Sequence, residues 1–285
     1  MRRRRWAKLV VAGLVIGLGI ANLYWSVAQW TLSDAGAYWE AALRLRAGEE
    51  LYPALADFEA SEVYRYAPWF AWLTVPVTFL PIEVAAVLWS AVLVAASIVA
   101  IIPLARERAW LAVAFFFPVL IGISAIGNVQ PLIVAALVHG LERRSGPLWI
   151  AMTASLKVVP ALFALVYVGR RQWWRFGASV VLTLVFVAPM LLFDLSNYVT
   201  DPADAAFLMR WPPLWASALV LGIGATVWFA KTRHAWLAAG TAAALVLPRF
   251  FVYDITFLLP GAAIRPQDTP DNPPGRTARS RLSPS

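Results

Sequence analysis

The chain is a succession of apolar runs, and their lengths leave it very few possible folds. The first spans residues 9–30 and closes on the aromatic side chains of Tyr24, Trp25 and Trp30. Others follow at residues 68–80, 84–104, 110–126, 129–141, 148–168, 177–193, 214–230, 235–247 and 252–263. A bilayer core about 30 Å thick takes roughly 20 residues of helix, and several of these runs approach or meet that length. A soluble domain could not hide them, because 61% of the residues are hydrophobic and only 14% are charged. Typical globular chains are about 45–50% apolar and about 25% charged. The sequence therefore specifies an all-α, polytopic integral membrane protein with about nine or ten transmembrane helices. Pro68, Pro76, Pro81, Pro118, Pro131 and Pro160 interrupt or bound the runs. Broken helices are tolerated in a bilayer only where protein or a wet cavity satisfies the freed backbone groups. The prolines thus point to a site within the membrane domain.

The formal charge of +8 does not make the chain a nucleic-acid binder. Its basic residues form short clusters between apolar runs: Arg2 to Arg5, Arg143 with Arg144, Arg170 with Arg171 and Arg175, and Lys231 with Arg233. That distribution sets topology and contacts anionic membrane lipids. Arg2 to Arg5 hold the first helix end in the cytoplasm, and the long run after them reads as an uncleaved span. Residues 31–66 then form an extracytoplasmic loop. One crossing per run puts Arg170 to Arg175 and Lys231 to Arg233 inside, but leaves Arg106, Arg108, Arg143 and Arg144 outside, against the positive-inside bias. The membrane domain extends over residues 1–264. Residues 265–285, rich in Pro, Ser, Asp and Arg, read as a disordered cytoplasmic tail. There is no cysteine, and His139 and His234 lie far apart, so neither a thiolate nor a zinc-type metal site is expected.

Within the loop, Tyr38, Ala41, Ala42 and Leu45 recur at helical spacing with Glu40, Arg44 and Arg46 between them. This describes an amphipathic helix on the outer membrane surface, ended by Gly48, with a solvated charged face. Asp34 lies just past the aromatic end of the first span, where bilayer meets water. As a structural residue, Asp34 or Ser33 would cap that helix. As a functional one, Asp34 offers a carboxylate within reach of a lipid headgroup and a soluble hydroxyl. Lys157 stands in the middle of an apolar run, where a lysine costs about 2.5–3.5 kcal/mol on insertion scales. It either snorkels, or caps a broken helix, or meets a phosphate. Arg249 and Asp254 can pair with each other, or Arg249 can bind phosphate. Asn128 and Gln130 join helices or contact sugar, and His139 is a hydrogen-bonded helix contact.

Taken in order, several segments resemble one family. After Asp34 come Tyr38-Trp39 and Ala41-Ala42, then Gly48 to Tyr52, then Tyr64-Arg65-Tyr66-Ala67-Pro68. Gly127-Asn128-Val129-Gln130, Lys157-Val158-Val159-Pro160 and Tyr253-Asp254 follow. The series resembles the polyprenyl-phosphate-sugar-dependent glycosyltransferases of the GT-C superfamily, family 87, over about residues 33–260. Ala67-Pro68 stands where that family has Pro-Pro, Asn128 and Gln130 exchange the family's Gln and Asn, and family members commonly continue into further helices after Asp254. The resemblance implies a GT-C-like helical bundle. It also implies transfer of a sugar, mannose or arabinose, from a polyprenyl-phosphate donor to a glycolipid or glycan acceptor. That transfer would take place on the outer face of a bacterial cytoplasmic membrane. The donor is a substrate, and no cofactor is implied. Asp34 would be the general base; Lys157, Arg249 and Arg65 would meet the phosphate; Tyr38, Tyr66, Asn128, Gln130, Tyr253 and Asp254 would line or support the pocket. The competing class is a non-catalytic transporter or envelope-assembly scaffold. A transporter should show internal repeats and midplane ionisable groups, whereas here no repeat is found and the carboxylates gather in one loop.

Overall fold

The computed structural model describes residues 2–53, 63–198, 210–247 and 251–264. Arg249 and the tail at 265–285 lie outside the described residues, as does residue 56 in the first loop. The described residues are helical, with no strand among them. Helix α1 (Arg2–Ala28) runs parallel to α5 (Trp110–Ala125). Gly19 of α1 fits against Ala114 and Pro118, and Ser26 against Gly122. At their common end the chain is stitched by its backbone: Thr31 and Leu32 donate to the Ala125 carbonyl, and Asp34 N–H to that of Ile126.

That stitching starts α2 (Ser33–Ala47) in a way the sequence did not suggest. Leu32 is the N-cap, in the left-handed region at φ 52°, and no side chain caps the helix. Asp34 is therefore free of the capping role. It sits in the first turn, where the helix dipole favours a negative charge. Gly48, at φ 74°, ends α2 as expected, its N–H bonded to the Leu45 carbonyl. The helix does not simply lie on a membrane surface. Ala37, Tyr38, Ala41 and Ala42 are buried. The helix packs on α3 (Pro68–Thr74) and on the 3₁₀ turn Val75–Phe79, where Arg46 bonds the Thr78 carbonyl and hydroxyl. Glu40 and Arg46 stay exposed as a solvated face, while Arg44 is half-buried.

The run at 68–80 is not a crossing. It begins against α2, and α4 (Ile82–Arg106) starts beside it. Trp30 donates to Ser90, and Trp89 donates to the Gly127 carbonyl, so the first turns of α4 lie at the end where α1 and α5 finish. The run at 148–168 is not one span either. Helix α6 (Gln130–Gly140) leads to α7 (Gly146–Leu156), which stops at Lys157. A 3₁₀ turn, Val159–Ala164, and α8 (Leu165–Gly169) then form a returning leg, because the Tyr167 hydroxyl reaches the Leu141 carbonyl at 2.8 Å. Pro160 supplies no N–H and sits in the first turn of that leg. Helix α9 (Trp173–Val187), α10 (Pro212–Phe229) and α11 (Ala235–Val246) follow, then the 3₁₀ turn Val252–Leu258 and α12 (Leu259–Ala263).

These two changes remove the conflict over the basic residues. Arg170 pairs with Glu142 at 2.9 Å and donates to the Ala230 carbonyl, while Trp236 donates to Glu142 at 2.6 Å. Arg175 donates to the carbonyls of Leu141 and Arg143. The turns that carry Arg143, Arg144, Arg171, Lys231 and Arg233 thus meet at one end of the bundle. His139 reaches the Val99 carbonyl, so α4 approaches Arg106 at that same end. Asp34, Asn128 and Lys157 lie at the other.

Helix length divides the bundle. Among the described residues four helices are long and apolar enough to cross a membrane: Leu9–Ala28, Ile82–Arg106, Trp173–Leu192 and Pro212–Phe229. Their outer faces are largely exposed. Inside them, α6 and α7 have 11 residues each and α11 has 12, or about 16–18 Å of helix. Phe163, Tyr167, Phe257, Ile133, Leu137 and Ile150 are fully buried in this inner set.

Candidate active site

Where the short helices stop, a cavity of about 570 Å³ opens. Six segments contribute to it, the end of α11 with Leu247 among them. The start of α2 brings Asp34, Ala37 and Tyr38; the strap before α3 brings Val63, Arg65 and Tyr66. The α5–α6 turn brings Ile126 and Asn128, the break after α7 brings Leu156, Lys157 and Val158, and the last 3₁₀ turn brings Tyr253 and Asp254. Eight of the residues singled out from sequence therefore share one cavity. Gln130 stands behind it, fully buried, donating to Thr256 at 3.1 Å.

Asp34 is held from the α5–α6 turn. Asn128 Nδ2 donates to Asp34 Oδ2 at 2.6 Å. Burial raises the Asp34 carboxyl above its ordinary range, opposed by that hydrogen bond and by the charge of Lys157. The turn needs glycine at 127: φ is 82°, and a Cβ there would stand 2.8 Å from the Ala35 Cβ and 2.9 Å from its backbone nitrogen. That close approach brings Asn128 against the first turn of α2.

Lys157 ends α7 in an extended conformation, so the break in the helix is what carries its side chain into the cavity. It does not snorkel. Its ammonium lies 3.8 Å from Asp254 Oδ1 and 4.7 Å from the centre of the Tyr253 ring. The other oxygen of Asp254 accepts the Phe251 N–H at 2.9 Å and so starts the 3₁₀ turn. Asp254 thus pairs with Lys157, the partner that sequence had not proposed for it. Arg65 lines the cavity from the opposite strap.

Tyr38 and Tyr66 are a hydrogen-bonded pair at 3.2 Å, and their rings meet edge to face, with Phe70 and Trp89 against Tyr38. Burial pushes the Tyr66 phenol up to about 12, so it stays neutral and cannot serve as the base. Tyr52 donates to the Tyr66 carbonyl and Tyr198 to that of Arg65, and these bonds fix the strap. Phe251, Leu247, Val158 and Ile126 were missed from sequence, since apolar cavity walls look like any other apolar residue. Among the described residues no group of three or more metal-ligating side chains occurs.

Two carboxylates, two cations and apolar walls thus share one cavity at an end of the helical bundle. A sequence model of glycosyltransferase family 87 matches residues 64–247. The chain belongs to that family and is a glycosyltransferase. The matched region contains Arg65, Tyr66, Asn128, Gln130 and Lys157, while Asp34 and Asp254 complete the cavity from either side of it. No curated protein and no solved structure matches the chain.

Proposed function

We propose that the protein transfers a sugar, mannose in the first instance, from a polyprenyl-phosphate donor to a hydroxyl of a glycolipid or glycan acceptor, with Asp34 as general base. The observation that carries this reading is the sharing of one cavity by the Asp34 carboxylate and the cations of Lys157 and Arg65. The acceptor O–H gives its proton to Asp34 as its oxygen bonds to the anomeric carbon. The carbon–oxygen bond to the phosphate breaks on the opposite face, and the polyprenyl phosphate leaves with the electron pair, so the configuration inverts. Lys157 and Arg65 stabilise the charge that develops on the leaving phosphate. Arg249 belongs to the same phosphate-binding set by resemblance. The gathering of basic turns at the end of the bundle away from the cavity supports an outward-facing site in a bacterial cytoplasmic membrane. Sugar transfer there would serve the cell envelope.

The test is Asp34→Asn in purified, reconstituted protein supplied with polyprenyl-phosphate mannose or polyprenyl-phosphate arabinose and an alkyl glycoside acceptor. Asn keeps the size of Asp and still accepts from Asn128, but takes no proton. A placed base contributes about 10²–10⁴-fold, and the variant should lose that much while still binding donor. The assignment is falsified if Asp34→Asn transfers sugar at a rate near that of the parent.

A further inference from the structure

We propose that Asn128 is a positioning residue for the Asp34 carboxylate, and that its single amide both accepts the first N–H of α6 and orients the base. This rests on Asp34 being the base. Asn128 is 3% exposed, and both ends of its side chain are engaged. Its Oδ1 accepts the Gln130 N–H at 2.9 Å, and its Nδ2 donates to Asp34 Oδ2 at 2.6 Å. The bond to Gln130 determines which way the amide points. A backbone N–H can only donate, so the atom facing Gln130 must be the oxygen, and the NH₂ is left for Asp34. An amide held at both ends in this way cannot flip without losing both bonds.

The surroundings fix the same geometry. The start of α2 is bonded to the end of α5 through Thr31, Leu32 and Asp34, and the Gly127 carbonyl is held by Trp89. Gln130 reaches Thr256, whose hydroxyl donates in turn to the carbonyl of Tyr253, a residue that lines the cavity. One run of hydrogen bonds therefore links Asp34, Asn128 and the Asp254 turn. With Oδ2 engaged, Oδ1 is the oxygen that takes the acceptor's proton. A hydrogen bond to the ionised carboxylate also keeps the base charged against the cost of its burial. The other ionisable groups around the cavity are Lys157 and Asp254, Arg65, and the phenols of Tyr38, Tyr66 and Tyr253.

The experiment titrates Asp34 directly, by infrared difference spectroscopy of the carboxyl band in the full-length protein, using Asp34→Asn to identify the band. Asn128→Ala removes the donor and should raise the Asp34 titration by about 1–2 pH units, the worth of a hydrogen bond to a charged group. Asn128→Asp is the folding control, because it keeps the acceptor for the Gln130 N–H. It sets a second carboxylate against Oδ2, and the two must then share a proton, so one titration should rise further still. Sugar transfer by Asn128→Ala should recover as pH rises, with the donor KM unchanged. A band that titrates in both variants as in the parent overturns the role of Asn128 and leaves the base reading intact. An Asp34→Asn variant that still transfers sugar overturns the base reading, and with it any catalytic use of the contact.

Discussion

Removing the ammonium of Lys157 separates what it does for the fold from what it does for the substrate. Its partner Asp254 is almost wholly buried, with a side chain 2% exposed, and the ammonium lies 3.8 Å from Oδ1. Lys157→Met keeps the length of the stem and leaves that carboxylate uncompensated. Breaking a buried pair from one side costs about 3–5 kcal/mol. For a chain of this size that lowers Tm by on the order of 10 °C, measurable by thermal unfolding of the detergent-solubilised protein. Asp254→Asn still accepts the Phe251 N–H, so in the double variant both charges are gone and the short helical turn keeps its first bond. The double variant should recover most of the lost stability, since a buried pair replaced on both sides is often neutral or better. It should not recover donor binding, because a methionine offers no charge to a phosphate. Lys157→Met as stable as the parent would refute the buried pair. A double variant that binds polyprenyl-phosphate mannose as the parent does would remove Lys157 from the phosphate site.

Asp34 should also govern stability through pH. Its folded carboxyl is raised above the unfolded value, chiefly by burial, so ionising it opposes folding above the unfolded titration range. Asp34→Asn should therefore unfold at a higher temperature than the parent at neutral pH, and the gain should vanish as pH falls below both values. A variant less stable than the parent at neutral pH would contradict this sign. Topology can be tested without background, because the chain has no cysteine of its own. Lys231→Cys, exposed in a basic turn, should react with an impermeant reagent only after the membrane is opened. Ala56→Cys, in the first loop, should react from outside, and the reverse pattern would invert the proposed orientation.

The site was more legible in the sequence than the path of the chain through the membrane. Asp34, Asn128, Lys157 and Asp254 stand out because polar groups in or beside apolar runs need a reason to be there. What could not be read was which of them meet. Asn128 and Asp34 are far apart in the chain, and the backbone bonds between the end of α5 and the start of α2, with the close packing at Gly127, bring them together. The runs at 68–80 and 148–168 misled for a physical reason. Hydropathy records what a segment can be buried in, and a hairpin of two short apolar legs has the same hydropathy as one span. The signal that was available is the pair Lys157 and Pro160. A cation followed by a residue with no N–H marks the tip of the hairpin. The capping expectation for Asp34 failed because tertiary backbone bonds from α5 had already supplied what an N-cap side chain would have given.

The division between long outer helices and short inner ones separates two lengths that most membrane proteins hold equal. Lipid meets the long helices, such as the 25 residues of α4, and these match a bilayer of ordinary thickness. The short helices meet mostly protein, so little of their deficit is presented to the membrane as mismatch. Trp89, two turns into α4, is level with the turn that carries Asn128, and α4 begins about 10 Å outward of that level. The perimeter thus sets how the protein floats, and the interior sets how far below that waterline the reacting groups lie. A thinner or thicker bilayer would tilt the outer ring, while the depth of the carboxylate relative to its own cation stays fixed by the inner helices.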